Sequence, residues 1–160
     1  MGYISIAGAK AFLNFSQKIR DQADELGKMS KRLNMSTAEL QKLTFAGELA
    51  GESQEAVTQN IIKFVKNIGD ARKGISTMVR EFDLLDISLK DQNGNWKSNS
   101  ALLKEVGDKY ASTTDSQLKL SSAMTLFGRG GKKMIVMLQE GSGKIEQIGN
   151  VLQKLGGVMT

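Results

Sequence analysis

Residues 123–138 read Ala-Met-Thr-Leu-Phe-Gly-Arg-Gly-Gly-Lys-Lys-Met-Ile-Val-Met-Leu, and they predict two helices joined by a short basic corner. Gly128 is expected to end the first helix with a positive φ, because glycine adopts that conformation without steric cost. Apolar residues spaced at i, i+3, i+4 and i+7 mark one face of the first helix, namely Leu120, Ala123, Met124 and Phe127. A second apolar face follows the corner, at Met134, Ile135 and Leu138.

The corner between these helices contains Arg129, Lys132 and Lys133 and no carboxylate. Glycines in such a corner can end and restart helices while the bases face water. Alternatively, the basic side chains and backbone N–H groups can bind a phosphate. We expect Arg129 to bond the free carbonyl groups at the end of the first helix, or else to face an acidic partner or a phosphate. We expect Phe127 to be buried.

Upstream, the chain repeats this alternation of capped starts and apolar stripes. Ser36-Thr37-Ala38-Glu39 matches the capping box that begins a helix, and Met35 and Leu40 are placed for a hydrophobic staple. A further helix is expected to start at Ser53. Its apolar face is the cleanest in the chain, and either the core or a partner helix would use it: Val57, Ile61, Phe64, Val65 and Ile68.

Cap and break signals divide the rest of the chain. The predicted helix ends are Asn34, Gly51 and Asp86, and the predicted starts are Ser98 and a second capping box, Thr114-x-x-Gln117. A last apolar stripe comprises Ile145, Ile148, Leu152 and Leu155, while the diluted pattern over residues 1–18 predicts poor packing there. The fold class is therefore all-α. Several short-to-medium amphipathic helices, joined by glycine or capped turns, are expected to form a bundle or helical array. Near residues 87–97, around Asn93-Gly94, we expect a short irregular loop or a small β-ribbon.

Composition excludes several kinds of chemistry. The 160 residues include no cysteine, histidine or proline, so disulfides, thiolate nucleophiles and histidine bases are absent. The longest apolar run, Met134–Leu138, is too short to cross a membrane. A net charge of +5 is weak evidence for nucleic-acid binding. No nucleophile–base set stands out, so we expect no enzyme, no cofactor and no metal.

Two phrases in the first half of the sequence resemble phage tail tape measure proteins. Leu33-Asn-Met-Ser-Thr-Ala-Glu-Leu40 resembles the family phrase L-G-M/I-S-x-E-E-L, and Leu43-Thr-Phe-Ala-Gly-Glu-Leu-Ala-Gly51 resembles the L-x-Y-A-A-E-L-x-G that follows it. The family often has glycine at the position of Asn34 and alanine at that of Gly47. Asparagine tolerates the left-handed conformation, so the turn can survive.

Three later phrases follow in the same order. Phe82-Asp-Leu-Leu-Asp-Ile-Ser-Leu-Lys-Asp-Gln-Asn-Gly94 is similar to F-x-x-L-G-I/L-x-L/V-x-D-x-x-G, with Asp86 in place of glycine. Residues 102–110 resemble L-L-x-x-I/V-A-D-x-F/Y, with Gly107 in place of alanine. Ala123-Met-Thr-Leu-Phe-Gly-Arg-Gly-Gly131 resembles A-x-x-L-F-G-R-x-G, and residues 138–141 resemble its sequel, L-L-x-x-G.

The resemblance implies a structural role without an active site. Residues 1–160 would be one helical segment of a longer tape measure protein, with residues 26–155 as the family-like region. Its role would be tail length determination and tail tube assembly. Expected partners are other tape measure chains, including copies of this one, tail tube and baseplate proteins, and tail assembly chaperones. The chain would reside in the virion tail, and in the host cytoplasm during assembly.

Helix packing, within the chain or with a partner, is expected to use Val57, Ile61, Phe64, Ile68, Leu120, Met124 and Phe127. One alternative is a basic helical module that binds DNA phosphates through Arg129, Lys132 and Lys133. A second alternative is an enzyme, such as a cell-wall hydrolase within a tail protein.

Overall fold

The computed structural model describes residues 23–139 continuously, and also residues 13, 14, 17, 20, 21, 146, 147, 149–151 and 154. Seven helices occupy the continuous part: α1 (Ala23–Leu33), α2 (Thr37–Leu49), α3 (Gln54–Arg72), α4 (Ser76–Leu84), α5 (Asn99–Ser112), α6 (Ser116–Phe127) and α7 (Gly131–Leu138). No helix among the described residues is long and apolar enough to span a bilayer. The expected all-α fold is confirmed.

Side-chain caps begin α2, α3, α5 and α6. The hydroxyls of Ser36, Ser53 and Ser98 each accept a hydrogen bond, at 3.1 Å, from the backbone N–H three residues later. These three starts are confirmed. The capping box predicted at Thr114 is wrong by one residue, because the carboxylate of Asp115 accepts from the N–H of Leu118 at 3.0 Å. Aspartate is the better N-cap, since its negative charge also faces the positive end of the helix dipole.

Each of the first four helices ends at a residue with positive φ: Asn34 (50°), Gly51 (87°), Gly74 (81°) and Asp86 (57°). The N–H of Gly51 donates to the carbonyl of Glu48 at 3.1 Å, and that of Glu52 donates to Gly47 at 2.7 Å. This pair of bonds is the Schellman pattern, and it also closes α1, α3 and α4. Asn34 and Asp86 therefore form these left-handed turns, although glycine would adopt the same conformation at a lower steric cost.

The ribbon between α4 and α5 is reduced to one antiparallel bridge, between Lys90 and Trp96, and residues 23–139 contain no strand. Gly94 has a φ of 81°, but Asn93 does not have a positive φ, so the turn is not the two-residue hairpin that Asn-Gly suggests. The carboxylate of Asp91 holds the loop by accepting from the N–H groups of Asn93 and Asn95 at 2.9 and 3.0 Å.

α3 lies at the centre of the core, where it contacts α2, α4, α6 and α7. Its predicted apolar face is buried, as shown by Val57, Ile61, Phe64 and Ile68. The ring of Phe64 stacks on that of Phe127, with centroids 5.0 Å apart. α2 crosses α3 so closely at Gly47 that a Cβ there would overlap the side chain of Val57. Gly47 is therefore a packing residue.

α6 buries a different face from the one predicted. Ala123 and Phe127 are buried as expected, but Leu120 and Met124 are 45% and 44% exposed. Ser122 and Leu126 are buried in their place. The hydroxyl of Ser122 lies 2.8 Å from that of Tyr110 in a buried hydrogen bond. Rotation of α6 to the predicted face would break this bond, which is costly inside a core. On α7 the prediction holds, with Met134 and Leu138 buried and Ile135 partly buried.

The last predicted apolar stripe lies outside the described residues; its members are Ile145, Ile148, Leu152 and Leu155. Most of the region 1–18 also lies outside the described residues. Nearby, the structure describes Glu146, whose carboxylate pairs with Lys42 at 3.4 Å. It also describes Gly149, which is buried against the methylene groups of Lys42.

Candidate interaction surface at the basic corner

The corner between α6 and α7 has a fixed backbone shape. Gly128 closes α6 with φ 84° and ψ −154°, and its N–H donates to the carbonyl of Met124 at 3.1 Å. This conformation is essentially restricted to glycine, so the expectation of a positive φ is confirmed. Because its ψ is −154°, Gly128 does not have the αL conformation that the residue following a helix commonly adopts. At the start of α7, a Cβ on Gly131 would overlap the carbonyl oxygen of Ala123, so the two helices touch backbone to backbone there.

Two buried asparagines on α3 satisfy polar backbone groups of the corner. The side chain of Asn67, 3% exposed, donates from Nδ2 to the carbonyl oxygens of Thr125 and Leu126 at 3.1 and 2.9 Å. These carbonyls belong to the last turn of α6, which has no partners inside the helix. Asn60 donates in the same way to the carbonyl of Gly130 at 3.4 Å. Asn67 therefore has the role expected of Arg129.

Sequence reasoning missed both asparagines, although a signal for them exists. Asn60 and Asn67 are seven residues apart on α3, within the run that carries the apolar stripe. Polar residues at helical spacing inside an apolar face are buried groups that must find hydrogen-bond partners. That rule predicts partners for them without identifying the carbonyls.

The basic side chains of the corner differ in their partners. The amine of Lys133 lies 2.9 Å from a carboxylate oxygen of Glu52, whose side chain is 7% exposed. Arg129 and Lys132 are exposed and form no hydrogen bond or ion pair with any part of the chain that the structure describes. Arg129 therefore does not bond the end of α6, and the preferred expectation for it is wrong.

Lys63 of α3 is a further cation at this corner. Its Cγ lies 3.6 Å from the point that a Cβ on Gly128 would occupy, and its amine is exposed without a partner among the described residues. No sequence pattern linked Lys63 to residues more than sixty positions away. We name the set formed by Lys63, Arg129 and Lys132 the basic corner.

The other predicted interaction residues belong to the core. Val57, Ile61, Phe64, Ile68 and Phe127 lie in one continuous cluster and are nearly inaccessible to solvent. They pack the helices of this chain against one another, so a partner could reach them only after local unfolding. The surface positions of the predicted set are Arg129, Lys132 and Lys133.

The basic corner offers positive charge as its chemistry. Ammonium and guanidinium groups without partners can bind carboxylates or phosphates, and guanidinium can do so with two parallel bonds. No group of side chains suited to a metal ion occurs among the residues described. No family model matches the sequence, and neither a curated protein nor a solved structure matches it significantly.

Proposed function

We propose that this chain is a structural, non-catalytic segment of a phage or prophage tail tape measure protein. One observation carries the proposal: the five phrases that resemble this family coincide with helix junctions and core contacts of the fold. A resemblance of that kind specifies a helical scaffold, because its residues shape turns and fill the interior.

The first three phrases fall on turns. Residues 33–40 span the α1–α2 junction, with Asn34 in the left-handed region and Ser36 as the cap of α2. Residues 43–51 end at Gly51, which closes α2. Residues 82–94 contain Asp86, which closes α4, and the loop that turns at Gly94.

The last two phrases fall on the packing around α6. Residues 102–110 supply the buried face of α5. In residues 123–131, all but one of the positions that match the family signature are buried or shape the backbone. The exception is Arg129, which is exposed and has no partner among the residues that the structure describes. It is the one signature residue left available for a partner.

On this proposal, the helical array contributes to tail length determination and to assembly of the tail tube. Its partners are other tape measure chains, tube and baseplate proteins, and tail assembly chaperones. It resides in the virion tail after assembly in the host cytoplasm.

An in-frame deletion of the codons for residues 23–139, made in the phage genome that encodes them, tests this role. We expect short tails or none by negative-stain electron microscopy, and peptides of residues 23–139 in tails purified from the parent phage. A matched in-frame deletion in a lysis gene should leave tail length unchanged. Tails of normal length without residues 23–139 would contradict the proposal.

A second candidate function is binding of DNA phosphates. It is favoured by the three cations of the basic corner, for which the described part of the chain supplies no partner. Duplex binding should then weaken steeply with salt, because each neutralised phosphate releases counterions. Replacement of Lys63, Arg129 and Lys132 by glutamine should flatten that dependence. Lys104→Gln, which changes an exposed lysine on α5, is the control. Equal salt dependence in all variants would exclude the corner as a DNA site.

A further inference from the structure

α6 carries two apolar side chains that are partly exposed to solvent. Leu120 and Met124 are nearly half exposed and one turn apart. Residues at i, i+4 and i+8 share one side of a helix, so the line through these two side chains continues to Gly128. Gly128 lies beside Lys63 and directly precedes Arg129. The apolar stripe formed by Leu120 and Met124 therefore ends at the basic corner.

The segment of chain that carries this stripe and the corner is basic. Residues 116–139 contain four basic residues and no acidic one: Lys119, Arg129, Lys132 and Lys133. The buried carboxylate of Glu52 is already engaged by Lys133. The end of the stripe at the basic corner is consequently positive, because Lys63, Arg129 and Lys132 are exposed there, and it attracts an acidic partner.

We propose that an acidic amphipathic helix of a partner protein docks on the surface formed by Leu120, Met124, Lys63 and Arg129. Apolar side chains of that helix cover Leu120 and Met124, while its carboxylates bind Lys63 and Arg129. The ten residues from Leu120 to Arg129 span about 14 Å at the helical rise, which corresponds to between two and three turns of a helix. This inference goes beyond the tape measure role and does not depend on it.

Two properties favour a protein helix over a nucleic acid. Phosphates would neutralise the cations, but a phosphate backbone would leave Leu120 and Met124 in water. Coverage of both side chains by apolar groups contributes favourable hydrophobic free energy, while the charges guide the approach and orientation of the partner. Apolar anchors one turn apart are the usual footprint of helix-on-helix recognition.

The test uses the whole 160-residue chain and a synthetic amphipathic peptide of about 18 residues, roughly five helical turns. The peptide has leucine on one face and glutamate on the other, and its reference replaces every glutamate with lysine. We expect the acidic peptide to bind at least about tenfold more tightly in fluorescence anisotropy, about 1.4 kcal/mol. Amide shifts in NMR spectra should map to α6 and the basic corner.

Variants separate the two halves of the surface. Lys63→Gln and Arg129→Gln should each weaken binding several-fold, and Leu120→Gln with Met124→Gln should weaken it about tenfold or more. Lys104→Gln is the matched control and should bind as the parent does. The changed side chains are exposed or half exposed, so thermal melting followed by circular dichroism should stay the same and exclude unfolding as the cause.

Three results would overturn the proposal. The first is equal binding of the acidic and basic peptides, and the second is full binding after loss of Leu120 and Met124. The third is competition by duplex DNA or by a second copy of the chain that depends on Arg129 as strongly as peptide binding does. DNA competition would assign the surface to phosphates, and self-competition would make it a dimer interface. None of these results bears on tail length, so the tape measure proposal is tested separately.

Discussion

At the end of α6, Asn67 stabilises the helix terminus, whereas Arg129 lies on the surface. Asn67→Ala leaves the carbonyls of Thr125 and Leu126 without their buried donor. We expect the free energy of unfolding to fall by about 1–3 kcal/mol in urea denaturation. Arg129→Ala removes an exposed side chain that has no partner within the described residues, so the change should stay within about 0.5 kcal/mol. Equal losses for the two variants would show that Arg129 does stabilise this helix end.

The same pair of residues shows what single positions reveal from sequence. The burial of Phe127 and the positive φ of Gly128 follow from a local rule about helix ends, and both are confirmed. The hydrogen-bond donor to the last carbonyl groups of α6 could not be predicted in this way. Asn67 lies almost sixty positions earlier in the chain and is brought there by packing of α3 against α6.

Replacement of two helical glycines by alanine should change the free energy of unfolding in opposite directions. A methyl group on Gly131 would overlap the carbonyl of Ala123, so α6 and α7 would have to separate. We expect Gly131→Ala to cost about 1–3 kcal/mol in urea denaturation. At Gly69, inside α3, nothing lies within 4 Å of an added Cβ. Gly69→Ala should gain about 0.5–1 kcal/mol through helix propensity. Destabilisation of equal size at both positions would contradict the packing explanation.

At the scale of whole elements, the helix starts are the most directly testable features. Ser36→Ala and Asp115→Ala each remove a side-chain cap, and each should cost about 1 kcal/mol. Thr114→Ala is the matched control, because Thr114 is exposed and caps no helix. Denaturation midpoints measure all three variants. A larger loss at Thr114 than at Asp115 would restore the capping box predicted from sequence.

The orientation of α6 illustrates where element-level prediction stops. The set Leu120, Ala123, Met124 and Phe127 and the set Ser122, Ala123, Leu126 and Phe127 are both compatible with helical spacing. Hydrophobicity favours the first set, because it contains no serine. The structure adopts the second, in which the hydroxyl of Ser122 meets that of Tyr110. A contact with another helix decides the face, and spacing within one helix cannot encode that contact.

The buried hydroxyl between α5 and α6 gives a pH dependence. Burial raises the pKa of Tyr110 from 10.0 to about 12, an effect that the bond to Ser122 opposes and the charge of Glu81 reinforces. The folded chain holds this proton more tightly than the unfolded chain does. The free energy of unfolding should therefore be unaffected below about pH 10 and fall by about 2–3 kcal/mol between pH 10 and 12.

Tyr110→Phe isolates this contribution, since the variant has no proton to lose at that position. Lysines titrate in the same range and affect both proteins, so the informative quantity is the difference between their stability profiles. The parent should lose stability relative to the variant as the pH rises from 10 to 12. Parallel profiles over that interval would mean that the hydroxyl is accessible to water.

For the molecule as a whole, the sequence specified an all-α chain but not its arrangement. Each cap and each left-handed turn is a local signal, so most helix boundaries could be derived residue by residue. The arrangement depends on interactions between distant segments. The absence of a side chain at Gly47 allows α3 to pack closely on α2. The ring of Phe64 stacks on that of Phe127, and the side chain of Lys63 lies at the corner beside Gly128. The basic corner was consequently predicted in part, without its contribution from α3.

The central position of α3 predicts that the described helices unfold as one unit. Phe64 lies between the rings of Phe82 and Phe127, at centroid distances of 6.3 and 5.0 Å, so it links α3 to α4 and to α6. Phe64→Ala leaves a cavity at this junction and should cost about 3–5 kcal/mol. Val136→Ala, at a side chain that is 54% exposed on α7, is the control and should change stability by less than about 0.5 kcal/mol.

Two probes distinguish a single transition from a stepwise one. Circular dichroism follows the helices, and the fluorescence of Trp96, the single tryptophan, follows the loop between α4 and α5. Because α4 packs on α3, loss of Phe64 should shift both transitions to lower urea concentration by the same amount. If the Trp96 transition kept its parental midpoint while the helical signal moved, the loop and α4 would be a separate unit. The core would then not be continuous through Phe64.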